Sequence, residues 1–312
     1  MRKIIGIGET ILDVIFKDRQ PTQAVPGGST FNSMISLGRL GIPVRFITEI
    51  GNDTVGNIIL DFMRNNGLPT DNVDIFDDGY SQSPISLAFL GENNDAQYAF
   101  YQHYPQKRLN FAWPVVEADD LVIFGSYYAV DPTLREKLQE FIAYAREQKA
   151  IIYYDINFRP SHAHEAMRIM PAFIENLEYA DIVRGSAEDI QTLLNETDPE
   201  KLYHQRISFE TPNFIFTDGS RGADIFCHAG HLHVDTPKIK TVSTIGAGDN
   251  FNAGILFALY RENISREELS TLTLNRWEKI IQYGNTFASE VCQSLDNYIS
   301  PAFAAHIKQE QP

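Results

Sequence analysis

The chain has 312 residues, 43% hydrophobic and 21% charged, enough to bury a substantial core as one large domain or two modest ones. Forty-one acidic residues against 26 basic ones give a net charge of −15, a balance that argues against nucleic acid as a partner. Cys227 and Cys292 are too few for a disulfide framework or a zinc site and read as buried thiols. Residues 1–16 are apolar but interrupted by Glu9 and Asp13, which reads as a strand and not as a secretory leader. No run approaches the roughly 18 apolar residues of a membrane span, so no membrane partner is expected and the cytoplasm is the expected compartment.

In chain order, Lys3–Gly8 reads as a short buried strand, and Ser29–Leu40 as a helix from the spacing of Ile35, Leu37 and Leu40 before Gly41. Val44–Ile50 is a strand and Thr54–Asn66 a helix closed by Gly67. Pro84–Leu90 and Ala96–His103 are β-rich runs joined by Gly91-Glu92-Asn93-Asn94-Asp95, a hairpin-type turn. Short apolar runs follow at Leu121–Phe124, Ala150–Tyr154, Asp181–Val183 and Asn213–Thr217, separated by helical patterns over Thr133–Glu147, His164–Leu177 and Ala187–Leu194. Lys279–Glu290 is a further helix. This alternation points to an α/β fold with a mostly parallel sheet covered on both faces. In such sheets ligands bind beyond the carboxyl ends of the strands. Glu9, Asp13, Asp155, Asn157, Asp218, Gly219 and Gly246–Asp249 fall near such ends and are expected to converge on one rim.

Two glycine-rich segments open helices. Thr244-Ile245-Gly246-Ala247-Gly248-Asp249 leaves backbone N–H groups uncovered at a helix N-terminus, where an anion is favoured. A carboxylate in that turn repels a phosphate, so its presence asks for a chemical reason, and a general base beside an anion pocket is the economical one. On local sequence alone the same turn also reads as a capped helix start. The second segment is Pro26-Gly27-Gly28-Ser29-Thr30-Phe31-Asn32, near the other end. Gly6 and Gly8 lack the third glycine of a dinucleotide fingerprint, Ile11 standing in its place, and no Gly-x-x-x-x-Gly-Lys-Ser/Thr loop occurs.

Together the two segments resemble the paired signatures of the PfkB (ribokinase-like) carbohydrate kinase family, and the likeness runs from Gly6 to about Asn285. It implies a single three-layer α/β/α kinase domain over residues 1–312, with a β lid formed from about 12–25 and 84–104. It also implies ATP and Mg2+ as phosphoryl donor and companion ion. Asp249 becomes the base and Gly246, Ala247 and Gly248 the anion hole. Asp13, Gly27, Gly28 and Asn32 become sugar contacts: a carboxylate accepts from two hydroxyls, and glycine admits close backbone approach. Asp155-Ile156-Asn157-Phe158-Arg159 resembles an Asp-x-Asn-x-Arg element of fructokinase and 2-keto-3-deoxygluconate kinase relatives, with Asn157 and Arg159 toward substrate or transferring phosphate. Thr217, Gly219, Gly222 and Asn285 fall at nucleotide positions. Gly185-Ser186-Ala187-Glu188-Asp189 stands where relatives carry Asn-x-x-Glu near magnesium, so either Glu188 or Asp189 could serve the metal through water.

Ser243 replaces an aspartate that in several relatives helps hold a monovalent cation, so the resemblance does not carry potassium activation to this chain. The Gly-Glu opening and Asp-x-Asn-x-Arg element favour a free hexose or keto-sugar acid, fructose first, with transfer to its primary hydroxyl. The other kinases of the class (ribose, nucleoside, 2-keto-3-deoxygluconate, phosphofructose) stand as alternatives. Residues 84–103 contain no lysine or arginine, and Lys107 and Arg108 lie just beyond, which weighs against a phosphorylated substrate. A non-catalytic sugar or nucleotide sensor is the reading from another class, supported only by Ser243 and the altered Ser186–Asp189 element. The lid aromatics Phe89, Tyr98, Phe100, Tyr101 and Tyr104 suit either packing over substrate or a homodimer formed through the lid.

Overall fold

The computed structural model describes residues 1–90 and 96–309. Strand β1 (Ile4–Ile7) is wholly buried and leads to β2 (Ile11–Lys17) and β3 (Gln20–Gly27). These last two are joined by a tight turn in which Asp18 and Arg19 both have positive φ, 51° and 62°, the twist a two-residue hairpin prefers. Then come α1 (Ser29–Arg39), β4 (Val44–Gly51), α2 (Thr54–Asn65), β5 (Val73–Phe76), β6 (Gln82–Leu90) and β7 (Ala96–His103). The middle of the chain supplies β8 (Leu121–Gly125), α3 (Arg135–Glu147), β9 (Ile151–Asp155), α4 (Ala166–Tyr179), β10 (Ile182–Ser186), α5 (Ala187–Leu194) and α6 (Pro199–Gln205). Strands β11 (Asn213–Thr217), β12 (Ala223–Cys227) and β13 (Gly230–Val234) precede α7 (Ala247–Arg261), α8 (Arg266–Leu269), α9 (Leu274–Val291) and α10 (Pro301–Gln309).

Among the described residues, nine strands form one sheet in the order β13-β12-β11-β10-β9-β8-β1-β4-β5, all in one direction except β12, which pairs antiparallel with β11 and with the edge strand β13. Its central strands are continuous apolar runs because both faces are covered. Along β9, Ile151 and Tyr153 enter one core with residues of α1, α2, α7, α9 and α10, while Ile152 and Tyr154 enter the other with residues of α3 to α6. Burial of both faces is what fixes the register, since a one-residue slip would exchange the two cores. This is the three-layer α/β/α arrangement expected from the alternating pattern.

A second sheet, β3-β2-β6-β7, stands apart from the main one; β2 and β6 run parallel while both outer pairs are antiparallel. The expected turn over Gly91–Asp95 and the Tyr98 side chain lie outside the described residues.

Several boundaries differ from the sequence expectation. The helix expected from His164 begins at Ala166, because Pro160–Glu165 forms a 3-10 turn first. The helix expected over Lys279–Glu290 starts at Leu274, a turn and more earlier, with Trp277 fully buried. Strands β5 and β13 and helices α6, α8 and α10 were not expected. They are short or edge elements whose periodicity is too brief to separate from loop.

Candidate active site

The N-terminus of α7 lies against α1. Gly246, its cap, has φ 76°, a left-handed conformation that favours glycine. The Ala247 amide donates to Thr244 O at 3.2 Å, so one group expected in the anion hole is engaged in a turn. The amides of Gly246, Gly248 and Asp249 have no acceptor among the described residues. They lie at the positive end of the helix dipole, where an anion is favoured.

Asp249 is buried beside them. Its Oδ1 accepts from Ser29 Oγ at 2.8 Å and its Oδ2 from Asn32 Nδ2 at 2.8 Å, while Ser33 Oγ donates to the Asp249 carbonyl at 2.6 Å. Two residues of the opening of α1 therefore fix this carboxylate, and a third, Ser33, holds its backbone carbonyl. Burial raises its pKa above the usual carboxylate value, against the opposing pull of the Asn32 and Ser29 hydrogen bonds and of the Arg159 and Arg184 charges. Each oxygen keeps a lone pair free for a substrate hydroxyl. Asn32 Oδ1 is buried with no donor, an orphaned acceptor beside the carboxylate.

The small sheet and the turn that follows it carry the remaining residues expected to contact sugar. Asp13 on β2 accepts from Ser86 on β6, and burial raises its pKa against that hydrogen bond and the Arg159 charge. A Cβ on Gly27 would fall 2.5 Å from Asp13 Oδ2. Gly28 has φ 131°, and a Cβ there would lie 2.2 Å from the Glu9 carbonyl, so only glycine fits. Gln102 on β7 and Tyr104 donate to Glu9 Oε1, the latter at 2.8 Å, tying the small sheet to the end of β1. Burial raises the Glu9 pKa as well. Arg108 stacks 3.7 Å over the Tyr104 ring and pairs with Glu49 and Asp131, so it is not available to an incoming phosphate.

Asn157 follows β9 with φ 36°, an uncommon conformation that asparagine tolerates better than most residues. Arg159 is exposed and has no partner among the described residues, yet its charge acts on both Asp13 and Asp249. Asp155 is not a rim ligand as expected. It is fully buried, pairs with Arg184 Nη1 at 3.0 Å and accepts from Asn252 Nδ2 at 2.8 Å. Burial pushes it up to about 6 despite Arg184.

Arg184 on β10 was not anticipated. Its Nη2 donates to Thr217 Oγ1 at 2.6 Å, and a Cβ on Gly248 would sit 3.1 Å from Nη2, so the guanidinium underlies the helix start directly. Burial would lower its pKa, but Asp155 and Asp189 raise it and hold the charge. Its Nε is buried and unpaired. The signal available in the sequence was a single arginine inside an apolar run. Ser29 and Ser86 were likewise missed; small hydroxyl residues carry little pattern of their own.

Thr217 thus reaches the helix start through Arg184, whereas the other residues expected at the nucleotide make contacts of their own. Gly222 has φ 111° and its Cβ position would meet Val234 O at 2.5 Å; Thr236 Oγ1 donates to Gly219 O at 3.2 Å; Asn285 Nδ2 donates to Asp235 O at 3.1 Å. Asp218, expected on the rim, is held by Arg221 at 2.6 Å.

Asp189 is occupied: Oδ1 accepts from Phe158 N at 2.8 Å and Oδ2 from Ser186 N and Oγ at 2.7 Å, forming the capping box of α5. Glu188 is exposed and makes no bond among the described residues. No group of three or more His, Cys, Asp or Glu suited to a metal occurs among the described residues. Around Ser243 the fit for a monovalent cation is poor. Its hydroxyl accepts from Ile245 N at 3.2 Å, and the Cys292 carbonyl already takes the amides of Val242 and Ser243.

The sequence profile of the pfkB family carbohydrate kinases matches residues 1–301. A fructokinase of Rhizobium leguminosarum bv. trifolii is 28% identical over 84% of this chain and 81% of its own length. A 5-dehydro-2-deoxygluconokinase of Geobacillus thermodenitrificans is 25% identical over 92% and 86%. In fold, the chain is similar to the aminoimidazole riboside kinase from Salmonella enterica complexed with aminoimidazole riboside and an ATP analogue. The TM-score is 0.83 at 21% identity, over 98% of this chain and 100% of that one.

Proposed function

This chain belongs to the pfkB family of carbohydrate kinases, and from that premise we propose that it transfers the γ-phosphoryl group of ATP to the primary hydroxyl of fructose. The observation that carries the reading is Asp249, a buried carboxylate held by Ser29 and Asn32 beside three unengaged amides. The sugar lies between the small sheet, acting as a lid, and the opening of α1. Asp13 accepts from two of its hydroxyls, and the orphaned Asn32 Oδ1 accepts from another. The attacking hydroxyl gives its proton to Asp249 as its oxygen bonds to the γ-phosphorus in line with the departing ADP. The amides of Gly246, Gly248 and Asp249, with Arg184 behind them, meet the charge on the transferring group. Thr217, Gly219, Gly222 and Asn285 border the nucleotide. Magnesium, when bound with the nucleotide, neutralises phosphate charge, and Glu188 is the carboxylate free to hold one of its waters.

An unphosphorylated acceptor agrees with Arg108 being spent on Glu49 and Asp131. The free Arg159 supports a second reading, a keto-sugar acid whose carboxylate pairs with that guanidinium. Mg-ATP-dependent ADP release across fructose, ribose, keto-deoxygluconates, ribosides and fructose phosphates tests both. Turnover confined to fructose supports the first. Turnover confined to a keto acid, abolished by Arg159→Met, supports the second, and release on a phosphosugar alone refutes both.

A further inference from the structure

Asn250 follows the proposed base in sequence and bonds α1 two turns further along, at Ser36. Its side chain is fully buried, and every polar group on it is used. Nδ2 donates to Gly246 O and to Asn297 O, both at 2.8 Å, and Oδ1 accepts from Ser36 Oγ at 2.5 Å. Ser36 Oγ in turn accepts from Ile299 N at 3.2 Å. One amide thus joins three segments distant in sequence: α1, the cap of α7 and the stretch after α9. The junction is tight, since a Cβ on Gly246 would stand 2.9 Å from Asn297 O. The same stretch reaches the sugar side, where Tyr298 OH donates to Pro26 O, immediately before Gly27 and Gly28.

The direction of the unengaged amides depends on this junction. Gly246 sits in a left-handed conformation that the flexible residue does not hold by itself. Its carbonyl is fixed by two donors from one residue, the Asn250 backbone N–H at 2.9 Å and the side-chain amide. With the carbonyl held, the 246–247 peptide plane, which carries the Ala247 N–H, is held at the centre of the turn, and the planes that carry the Gly246 and Gly248 N–H groups adjoin it on either side. Without the side chain, two part-buried carbonyl oxygens each lose a donor and face each other across Asn250's place, which pushes the cap and the 294–299 stretch apart.

We infer that Asn250 is a positioning residue of phosphoryl transfer, a buried amide that sets the anion-hole geometry and links it to the root of the sugar-binding turn. The inference rests on the kinase reading above. An anion hole displaced by a fraction of an ångström loses transition-state stabilisation while the sugar still binds, so the deficit falls on kcat.

The test is Asn250→Asp, which keeps the shape and removes both donors, with Asn250→Ala as the second variant should the first fail to fold. The expected result is a kcat at least about tenfold below the parent, the usual scale for a lost or misaligned anion-hole donor. KM for the sugar stays within about twofold, and amide hydrogen exchange is faster at residues 246–249. A folded variant with parental kcat, or with unchanged exchange at those amides, overturns the inference. A parent chain with no sugar-dependent turnover ends the kinase reading instead, and exchange at 246–249 then decides the Asn250 junction by itself.

Discussion

Replacing Arg184 by methionine is expected to be costly in a pH-dependent way. The guanidinium is fully desolvated between Asp155, Thr217 and the start of α7, so its removal leaves the buried Asp155 carboxylate with only Asn252 as a donor. Breaking a buried ion pair from one side costs roughly 3–5 kcal/mol, a large part of a typical stability of about 5–15 kcal/mol. Asp155 already titrates at about 6 in the fold against a reference value of 3.8. Without Arg184 its folded pKa rises further. A raised carboxylate contributes stability that is fully present below the unfolded pKa and is lost as pH rises through the folded one. The deficit of Arg184→Met is therefore larger at pH 8 than at pH 6 and shrinks on acidification as Asp155 takes up a proton, by up to about 1.4 kcal/mol per pH unit. Urea unfolding at pH 8 and pH 6 measures this, and Arg184→Met/Asp155→Asn should recover most of the loss while turnover stays low. A single variant losing under about 1 kcal/mol at pH 8, an equal loss at both pH values, or a double variant no more stable than the single refutes the reasoning.

Three further outcomes are expected. Gly28→Ala places a methyl 2.2 Å from the Glu9 carbonyl at φ 131° and should lower stability by more than about 1 kcal/mol and raise sugar KM, read by thermal unfolding and initial rates. Asp189→Asn should lower stability by about 0.5–2 kcal/mol through the capping box, whereas Glu188→Gln should leave unfolding unchanged and raise the magnesium needed for half-maximal rate. Exchanging sodium for potassium at constant ionic strength should leave turnover unchanged, because the Ser243 hydroxyl and Cys292 carbonyl are already bonded.

The layer architecture was legible because the buried strands are continuous apolar runs at spacings set by the helices between them. Val73–Phe76 and Gly230–Val234 were not, since edge strands of this length share their composition with loops. At the site, the glycine-rich turns announced themselves by uncovered amides and close backbone approach, and the structure adds the positive φ of Gly28 and Gly246. Arg184, Ser29 and Asn250 gave no such signal. Each acts through a partner far away in sequence, Ser29 and Asp249 being 220 positions apart, and a single sequence does not encode such pairings locally. Asp155 was misread for the same reason: a carboxylate at a strand end looks like a ligand until the buried arginine on the next strand is known.

The central claim is that Asp249 takes the proton of the attacked sugar. Sugar-dependent ADP release by Asp249→Asn, at matched folded concentration, tests it directly. The expected result is a kcat lower by roughly 10²–10⁴, with an unfolding midpoint no lower than the parent's because a charge raised in pKa by burial has been removed. Turnover within a few fold of the parent would contradict the account.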